Sequence, residues 1–214
     1  MNYYQDITLI SATEISLGFI WEKVYQQIHL MLVEHKLDTN VSEVGLSFPA
    51  YGDKTFPLGD QLRLFTENEV SLSRLDVAKW LLRLSDYVRI EPVKAVPNDV
   101  GEYACFTRHN PKSQQHRLKQ LERRTSYLAQ KHGVDEDIMR AELLASIEQK
   151  SGESKLPYIN VQSLSTSTEP QLRHKFMLFI QCDKSNSQLG NINTFSCYGL
   201  SQKEKGKQTF VPWF

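Results

Sequence analysis

The sequence predicts an α+β protein. Short segments in which apolar and polar residues alternate indicate strands, and longer segments with apolar residues every three or four positions indicate helices. Over residues 3–96 these elements follow the order β-α-β-β-α-β, which is the order of ferredoxin-like domains. The turn-forming run at 97–101 (PNDVG) is typical of a linker. We therefore predict a ferredoxin-like domain over residues 1–97 and a second α+β domain, with a basic helix, over residues 98–214.

The first predicted domain starts with an alternating strand at residues 4–10. Ser11 or Thr13 can cap the helix that follows, which would put Glu14 in its first turn and extend it to about Lys36. Its apolar stripe is predicted at four positions: Ile20, Val24, Ile28 and Met31. The remaining predicted elements are strands at 44–48 and 61–66, a helix at 75–87, and a strand at 88–96 that Pro92 interrupts.

The second predicted domain alternates strands and helices. A short strand at 103–107 precedes a basic helix at about 113–131 and a second helix at about 135–149. Strands follow at 158–165 and 175–182, and then the terminal segment. The polar stretches at 150–156 and 183–194 are typical of surface loops.

Composition argues against several classes of protein. The 214 residues contain no apolar run of the roughly 18 residues that a membrane span needs, and the first residues do not resemble a secretion signal. The three cysteines have no metal-ligand spacing, and we expect free thiols in a reducing cytoplasm. No metal and no cofactor are expected, and a cytoplasmic location is predicted.

Charge is distributed unevenly along the chain, although the formal net charge is zero. Residues 101–132 carry seven Lys and Arg against two Glu. Phosphate contacts act within roughly a Debye length of about 8–10 Å, so a local basic element is sufficient to bind a polyanion. The sequence therefore indicates a nucleic-acid-binding element on a body that is otherwise acidic.

The basic helix divides into an apolar side and a cationic side. Leu118, Leu121, Thr125 and Leu128 share the apolar side. The opposite and flanking positions are His116, Arg117, Lys119, Gln120, Arg123, Arg124, Tyr127 and Lys131. Few acids interleave to form the i,i+4 pairs that usually support a solvated helix face. We therefore favour a helix that lies in a groove of nucleic acid over a solvated surface helix.

The last 20 residues combine the runs FSCYGLS, from Phe195, and FVPWF, from Phe210. Most termini are polar and frayed, and so we expect this aromatic end to be docked. The pattern resembles the C-terminus of the CRISPR repeat-processing endoribonucleases of the type I-F system. Here Gln202 to Gln208 form a longer insert than the usual turn of that family.

The resemblance implies an active site made of distant residues. His29 matches the catalytic histidine, Ser163 the serine that holds the ribose 2′-hydroxyl, and Tyr198 an active-site tyrosine. Ser165 matches a second serine, and Phe176 an aromatic that stacks under the closing base pair. The residues alone leave other interpretations open: a structural histidine, an ordinary half-exposed strand, and a core phenylalanine.

The resemblance also implies how RNA is recognised. The family precedes an arginine-rich helix with a segment R-x-Q-x-K-S, and Arg108, Lys112 and Ser113 match it, whereas Asn110 replaces the glutamine. Asparagine can still contact adenine bidentately, but it reaches less far. The helix inserts into the major groove of the repeat hairpin in that family, which assigns RNA contacts to the basic side described above.

The implied reaction is metal-independent cleavage at the 3′ base of the hairpin. The 2′-hydroxyl attacks the adjacent phosphorus, which leaves a 2′,3′-cyclic phosphate and a 5′-hydroxyl on the mature CRISPR RNA. The expected partners are the repeat hairpin and the subunits of the type I-F surveillance complex, with a monomer when free. Two alternatives remain: a non-cleaving RNA-hairpin-binding subunit, and a ferredoxin-like module whose basic helix meets an acidic protein.

Overall fold

A computed structural model of the chain describes residues 1–111, 118–149, 155–163, 174–187, 194–204 and 206–214. It is mixed α+β with two antiparallel sheets, which confirms the predicted class. The chain forms two compact units, one of Met1–His109 with Leu156–Phe214 and one of Asn110–Lys155. The division at residue 97 into sequence domains stays a prediction.

The first sheet is built from the N-terminal third of the chain. Its strands are β1 (Tyr3–Leu9), β2 (Gly45–Ser47), β3 (Gln61–Thr66), β4 (Val88–Ile90) and β5 (Lys94–Ala95). The order is β2-β3-β1-β4, with every neighbouring pair antiparallel, and β5 extends the pairing of β1. The register places Ile7 of β1 between Leu62 of β3 and Ile90 of β4, so the alternating apolar residues share one face.

Helix α1 (Leu17–Glu34) packs on this sheet through the predicted stripe, widened by Trp21, Tyr25 and Leu32. The predicted caps are wrong, because the chain turns at Ala12–Ile15 and the helix starts after Ser16. Ser16 accepts a hydrogen bond from the Phe19 amide, and no acid lies in the first turn. An Ncap side chain satisfies one of the amides that the first turn leaves unpaired.

The predicted helix at 75–87 is replaced by three short pieces. They are α2 (Glu69–Leu75), α3 (Val77–Trp80) and a 3-10 helix over Leu82–Tyr87. Asp76 separates α2 from α3 with φ 47° and ψ 56°, the left-handed conformation that ends a helix. The spacing of Leu75 and Leu81 is compatible with a single helix buried on one side, and equally with three short pieces. The apolar pattern therefore could not show the break at Asp76.

The second sheet has the order β7-β8-β6-β9, again with antiparallel neighbours. Its strands are β6 (Glu102–His109), β7 (Tyr158–Gln162), β8 (Lys175–Ser185) and β9 (Val211–Trp213). Strand β9 lies along β6, so the aromatic C-terminal segment is docked as predicted. Phe106 of β6 packs against Phe48 and Trp213, which joins both sheets in one core.

The unit of Asn110–Lys155 contains α4 (Leu121–His132) and α5 (Glu136–Gln149). Gly133, with φ 66°, ends α4 and directs the chain into α5. Glu122 of α4 forms an ion pair with Arg140 of α5. Within the described ranges, no helix is both long enough and apolar enough to cross a membrane.

Candidate active site

His29 is half-buried on the side of α1 next to the C-terminal segment. Its Nδ1 lies 2.9 Å from the main-chain oxygen of Cys197. A carbonyl oxygen can only accept, so Nδ1 carries a proton and donates it. In the neutral ring the lone pair is therefore on Nε2, which fixes the tautomer that a base at Nε2 requires.

Burial controls the charge of this imidazole. The pKa of His29 is lowered from its usual value of 6.5, chiefly because burial disfavours the charged form. The hydrogen bond to Cys197 acts in the opposite direction and is weaker. The ring is consequently neutral at physiological pH and can accept a proton.

Tyr198 holds the orientation of the His29 ring. The two rings are stacked, with centroids 4.3 Å apart and planes at 7°. The hydroxyl of the buried Tyr25 donates to the main-chain oxygen of Tyr198 at 2.8 Å. Burial raises the pKa of Tyr25 well above its usual range, which keeps this phenol protonated as a donor. The ring stack and the hydrogen bond from Tyr25 thus hold Tyr198 and His29 in one relative orientation.

The segment that carries Cys197 and Tyr198 is itself locked between the two sheets. Phe195 exchanges two main-chain hydrogen bonds of 2.8 Å with Ser42. Gly199, at φ 68°, turns the chain, and its oxygen accepts from the Leu46 amide at 2.8 Å. Ser201 then donates from its amide to Phe106 of β6. These bonds on both sides hold Cys197 and Tyr198 in place, although they lie in a loop segment.

A cation lies beside this aromatic pair. The guanidinium of Arg108, at the end of β6, is 5.4 Å from the ring centroid of Tyr198 and 5.0 Å from that of Phe176. Phe176 is half-buried and packs against the core, so it has a structural contact as well as an exposed part. The structure therefore brings His29, Tyr198, Arg108 and Phe176 into one connected cluster.

Ser163 is joined to α1 through its neighbour in sequence. Its amide donates to the oxygen of His174 at 2.8 Å, and the amide of Gln162 donates to Oε1 of Gln26 at 3.0 Å. Gln26 precedes His29 by three residues, on the same side of α1. The hydrogen bond between Gln162 of β7 and Gln26 of α1 thus links the segment that leads to Ser163 with the helix that carries His29. Ser165 lies outside the described residues.

The basic side of α4 is exposed to solvent. Its described members are Arg123, Arg124, Tyr127 and Lys131, preceded by the exposed Lys119 and Gln120. Leu121, Thr125 and Ala129 are buried on the other side, whereas Leu118 is 40% exposed. Asn110 is exposed directly after β6. Lys112, Ser113, His116 and Arg117 lie outside the described residues.

Three residues of the site were not predicted: Gln26, Tyr25 and Asn40. Gln26 and Tyr25 are one turn before His29 on α1. Asn40 has φ 57°, and its Oδ1 accepts from the Cys197 amide at 3.2 Å. Asn is enriched at such left-handed positions, so the asparagine after the predicted helix was an available signal. The partners of all three are far away in sequence and could not be inferred.

Fold and site together define an α+β protein in which a docked C-terminal segment orients a half-buried histidine close to an arginine. The chain belongs to the family described as CRISPR-associated protein (Cas_Csy4), whose model matches residues 4–214. It is similar to the CRISPR-associated endonuclease Cas6/Csy4 of Escherichia coli (strain UTI89 / UPEC), with 26% identity over 214 residues that cover 100% of both chains.

Proposed function

We propose that this protein is an endoribonuclease that cleaves CRISPR repeat RNA at the 3′ base of its hairpin. The observation that carries the proposal is His29, whose tautomer is held by Cys197 and whose ring is stacked on Tyr198. Membership of the family and similarity to a named CRISPR-associated endonuclease support it.

RNA supplies its own nucleophile in the proposed reaction. Nε2 of His29 takes the proton of the 2′-hydroxyl as that oxygen forms a bond to the adjacent phosphorus. The bond from phosphorus to the 5′-oxygen breaks, and this oxygen leaves with a proton from solvent. The products are a 2′,3′-cyclic phosphate and a 5′-hydroxyl, and the chemistry needs no metal.

Ser163 and Tyr198 position the reacting groups. The Ser163 hydroxyl holds the 2′-hydroxyl in line with the scissile bond, and Ser165 assists it. Gln26 supports this geometry, because it links β7 to the helix of His29. Tyr198 keeps the imidazole plane fixed while the proton moves.

Arg108 and Phe176 bind the foot of the stem. The guanidinium of Arg108 lies against the rings of both Phe176 and Tyr198, and Tyr198 is the residue stacked on His29. Phe176 stacks under the closing base pair, an interaction worth about 1–3 kcal/mol per base. Arg108 and Asn110 contact base edges there, with Lys112 and Ser113 alongside.

The hairpin stem is held by the basic helix. The exposed cations of α4 contact phosphates and guanine edges where the major groove opens near the end of the stem. The assigned residues are His116, Arg117, Lys119, Gln120, Arg123, Arg124, Tyr127 and Lys131. Contacts of this kind persist after cleavage, so the protein stays on the product hairpin as a subunit of the surveillance complex.

We also propose a ferredoxin-like arrangement for the N-terminal sheet, because the order β2-β3-β1-β4 with antiparallel neighbours is compatible with it. A monomeric free state and a cytoplasmic location complete the proposal.

The test is single-turnover cleavage of the repeat hairpin in EDTA, with RNA affinity measured alongside. His29→Ala should lower the cleavage rate by about 10²–10⁴-fold and leave hairpin affinity nearly unchanged, because only the base is lost. A hairpin with a 2′-deoxyribose before the scissile phosphate is the matched substrate control, and it should bind without being cut.

Three results would contradict the proposal. Cleavage by His29→Ala at the wild-type rate would exclude histidine as the base. Loss of wild-type cleavage in EDTA would exclude the metal-independent mechanism. Tight binding of the hairpin without any product would indicate a non-cleaving RNA-binding subunit.

A further inference from the structure

The unit that contains His29 has a second surface with the composition of a nucleic-acid site. A groove of about 740 Å³ opens between α1 and the segment that runs from the end of α2 into the 3-10 helix. Lys23 lines it from α1, and Arg74, Lys79 and Arg83 line it from the other side. Two acids, Glu34 and Asp76, also line the groove, so cations are in excess.

The cations of the groove are available to a ligand. Arg74, Lys79 and Arg83 are exposed, and across the described part of the chain the structure records no ion pair for them. Lys23 pairs with Glu22, its neighbour on α1. Three exposed and unpaired cations around one groove repel each other, and a bound polyanion relieves that repulsion.

Apolar surface accompanies these charges. Trp80 is half-buried in the groove wall, and Leu82 beside it is 70% exposed. Cations that follow a backbone, combined with an aromatic side chain on which a base can stack, are the features of sites for single-stranded nucleic acid. An acidic peptide would use the cations, but it would not need the accessible part of the Trp80 indole.

The position of the groove relates it to the candidate active site. Lys23 lies about 120° from His29 around α1 and Glu34 about 140°, at 3.6 residues per turn. A helix with its side chains is about 10–12 Å across, so a few nucleotides span the distance from one flank to the other. Groove and active site are thus two sides of one rigid element.

We propose that this groove binds the single-stranded RNA on the 3′ side of the scissile phosphate. The assignment rests on the proposed endoribonuclease function. The stem occupies the 5′ side of the cleaved bond, so the strand that continues past His29 is the one that can reach the groove. There the cations hold its phosphates and Trp80 stacks on a base, which keeps the leaving strand in line during attack.

The experiment compares two uncleavable RNAs, each with 2′-deoxyribose before the scissile phosphate. One ends just after this phosphate, and the other continues as a short single-stranded tail. Affinities of the full-length protein are measured over a range of salt concentrations. The groove variant is R74E/K79E/R83E, and the matched control K54E/R89E/K94E reverses the same number of exposed cations outside the groove.

The tail should tighten binding to the wild-type protein by about tenfold. It should also make the slope of log K against log[salt] more negative by about two, as expected for three phosphate contacts on a single strand. The groove variant should lose both effects, whereas the control keeps them. No gain from the tail in the wild type, or an equal gain in the groove variant, would overturn the assignment. Failure of the wild type to bind even the tailless hairpin would instead overturn the proposed function.

Discussion

The proposed chemistry of this protein depends on which nitrogen of one histidine, His29, carries a proton. The Cys197 oxygen keeps the proton on Nδ1, and burial keeps the ring neutral. Neither property belongs to histidine as a residue type. The proton on Nδ1 is a consequence of a contact between positions 168 residues apart in the chain, and the neutral ring is a consequence of its burial, which the hydrogen bond to Cys197 only partly offsets.

The pH dependence of cleavage should show this environment. A general base works in its neutral form, and burial lowers the pKa of His29 below 6.5, so the single-turnover rate should rise with pH, pass its half-maximal value below pH 6.5 and then become level. The measurement is a rate profile from about pH 4.5 to 8 with stability followed in parallel. A rate that falls as pH rises through this range would show that His29 acts as an acid in the limiting step.

The stack between His29 and Tyr198 makes a second prediction. Tyr198→Phe keeps the ring and the main-chain oxygen that Tyr25 binds, so cleavage should stay within a few-fold of wild type. Tyr198→Ala removes the ring and should slow cleavage by about tenfold or more through misorientation of the base. If Tyr198→Phe were as slow as Tyr198→Ala, the hydroxyl would contact the substrate and orientation would not be the main role.

At the scale of elements, the start of α1 shows that a residue with a high capping propensity is not always the cap in the structure. Ser11, Thr13 and Ser16 are all good capping residues, and only Ser16 accepts a hydrogen bond from the first turn, from Phe19. The turn at Ala12–Ile15 keeps the two earlier residues out of the helix.

Ser16→Ala should therefore lower the free energy of unfolding by about 1 kcal/mol, because an amide of the first turn loses its acceptor. Ser11→Ala and Thr13→Ala are the controls and should change it by less than about 0.5 kcal/mol. Urea denaturation measures all three variants. A larger loss in Ser11→Ala than in Ser16→Ala would place the cap where the sequence alone had predicted it.

At the scale of the whole molecule, the C-terminal segment closes the structure. Arg63 forms a buried ion pair with Asp6, and its Nη1 donates to the main-chain oxygen of Phe214 at 2.9 Å. The rings of Tyr4 and Phe214 cover the guanidinium at 4.6 and 4.1 Å. Strand β9 thereby joins a buried charge of the first sheet to the edge of the second.

Removal of Trp213 and Phe214 should cost about 2 kcal/mol or more of stability, because a buried guanidinium loses an acceptor and its aromatic cover. Thermal unfolding measures the loss, and Phe214→Ala should lie between wild type and the truncation. Cleavage per folded molecule at low temperature should be largely retained. A truncated protein with unchanged stability and activity would refute the anchoring role.

The close approach of β2 to the C-terminal segment can be tested with one methyl group. A Cβ on Gly45 would lie 2.4 Å from the ring of the buried Phe195, so Gly45→Ala should cost about 1–3 kcal/mol. It should also slow cleavage, because Phe195 precedes Cys197 in the same segment. Gly101→Ala, which meets no atom within 4 Å, is the control in unfolding and cleavage assays. Equal stability of both variants would contradict the close packing of Gly45 against Phe195.

Local sequence patterns predicted most helices and strands. They failed where tertiary packing or an unusual backbone conformation determined the structure. The alternation at 61–66 predicted strand β3 with its observed ends, and the stripe of α1 is buried as expected. The helix at 75–87 was wrong because Asp76 adopts a left-handed conformation that apolar spacing does not record. Leu118 shares the apolar side of the predicted basic helix but is 40% exposed, whereas Leu121, Thr125 and Ala129 are buried.

The sequence by itself determined the α+β class, the basic element, and the family resemblance of its C-terminal segment. These follow from periodicity, local charge and contiguous residues, which are properties of short stretches. Only the tertiary structure decided that Cys197 fixes the proton of His29 and that Gln26 ties β7 to α1. Such contacts join segments more than a hundred residues apart, and no local pattern records which distant segments the burial of apolar surface will bring together.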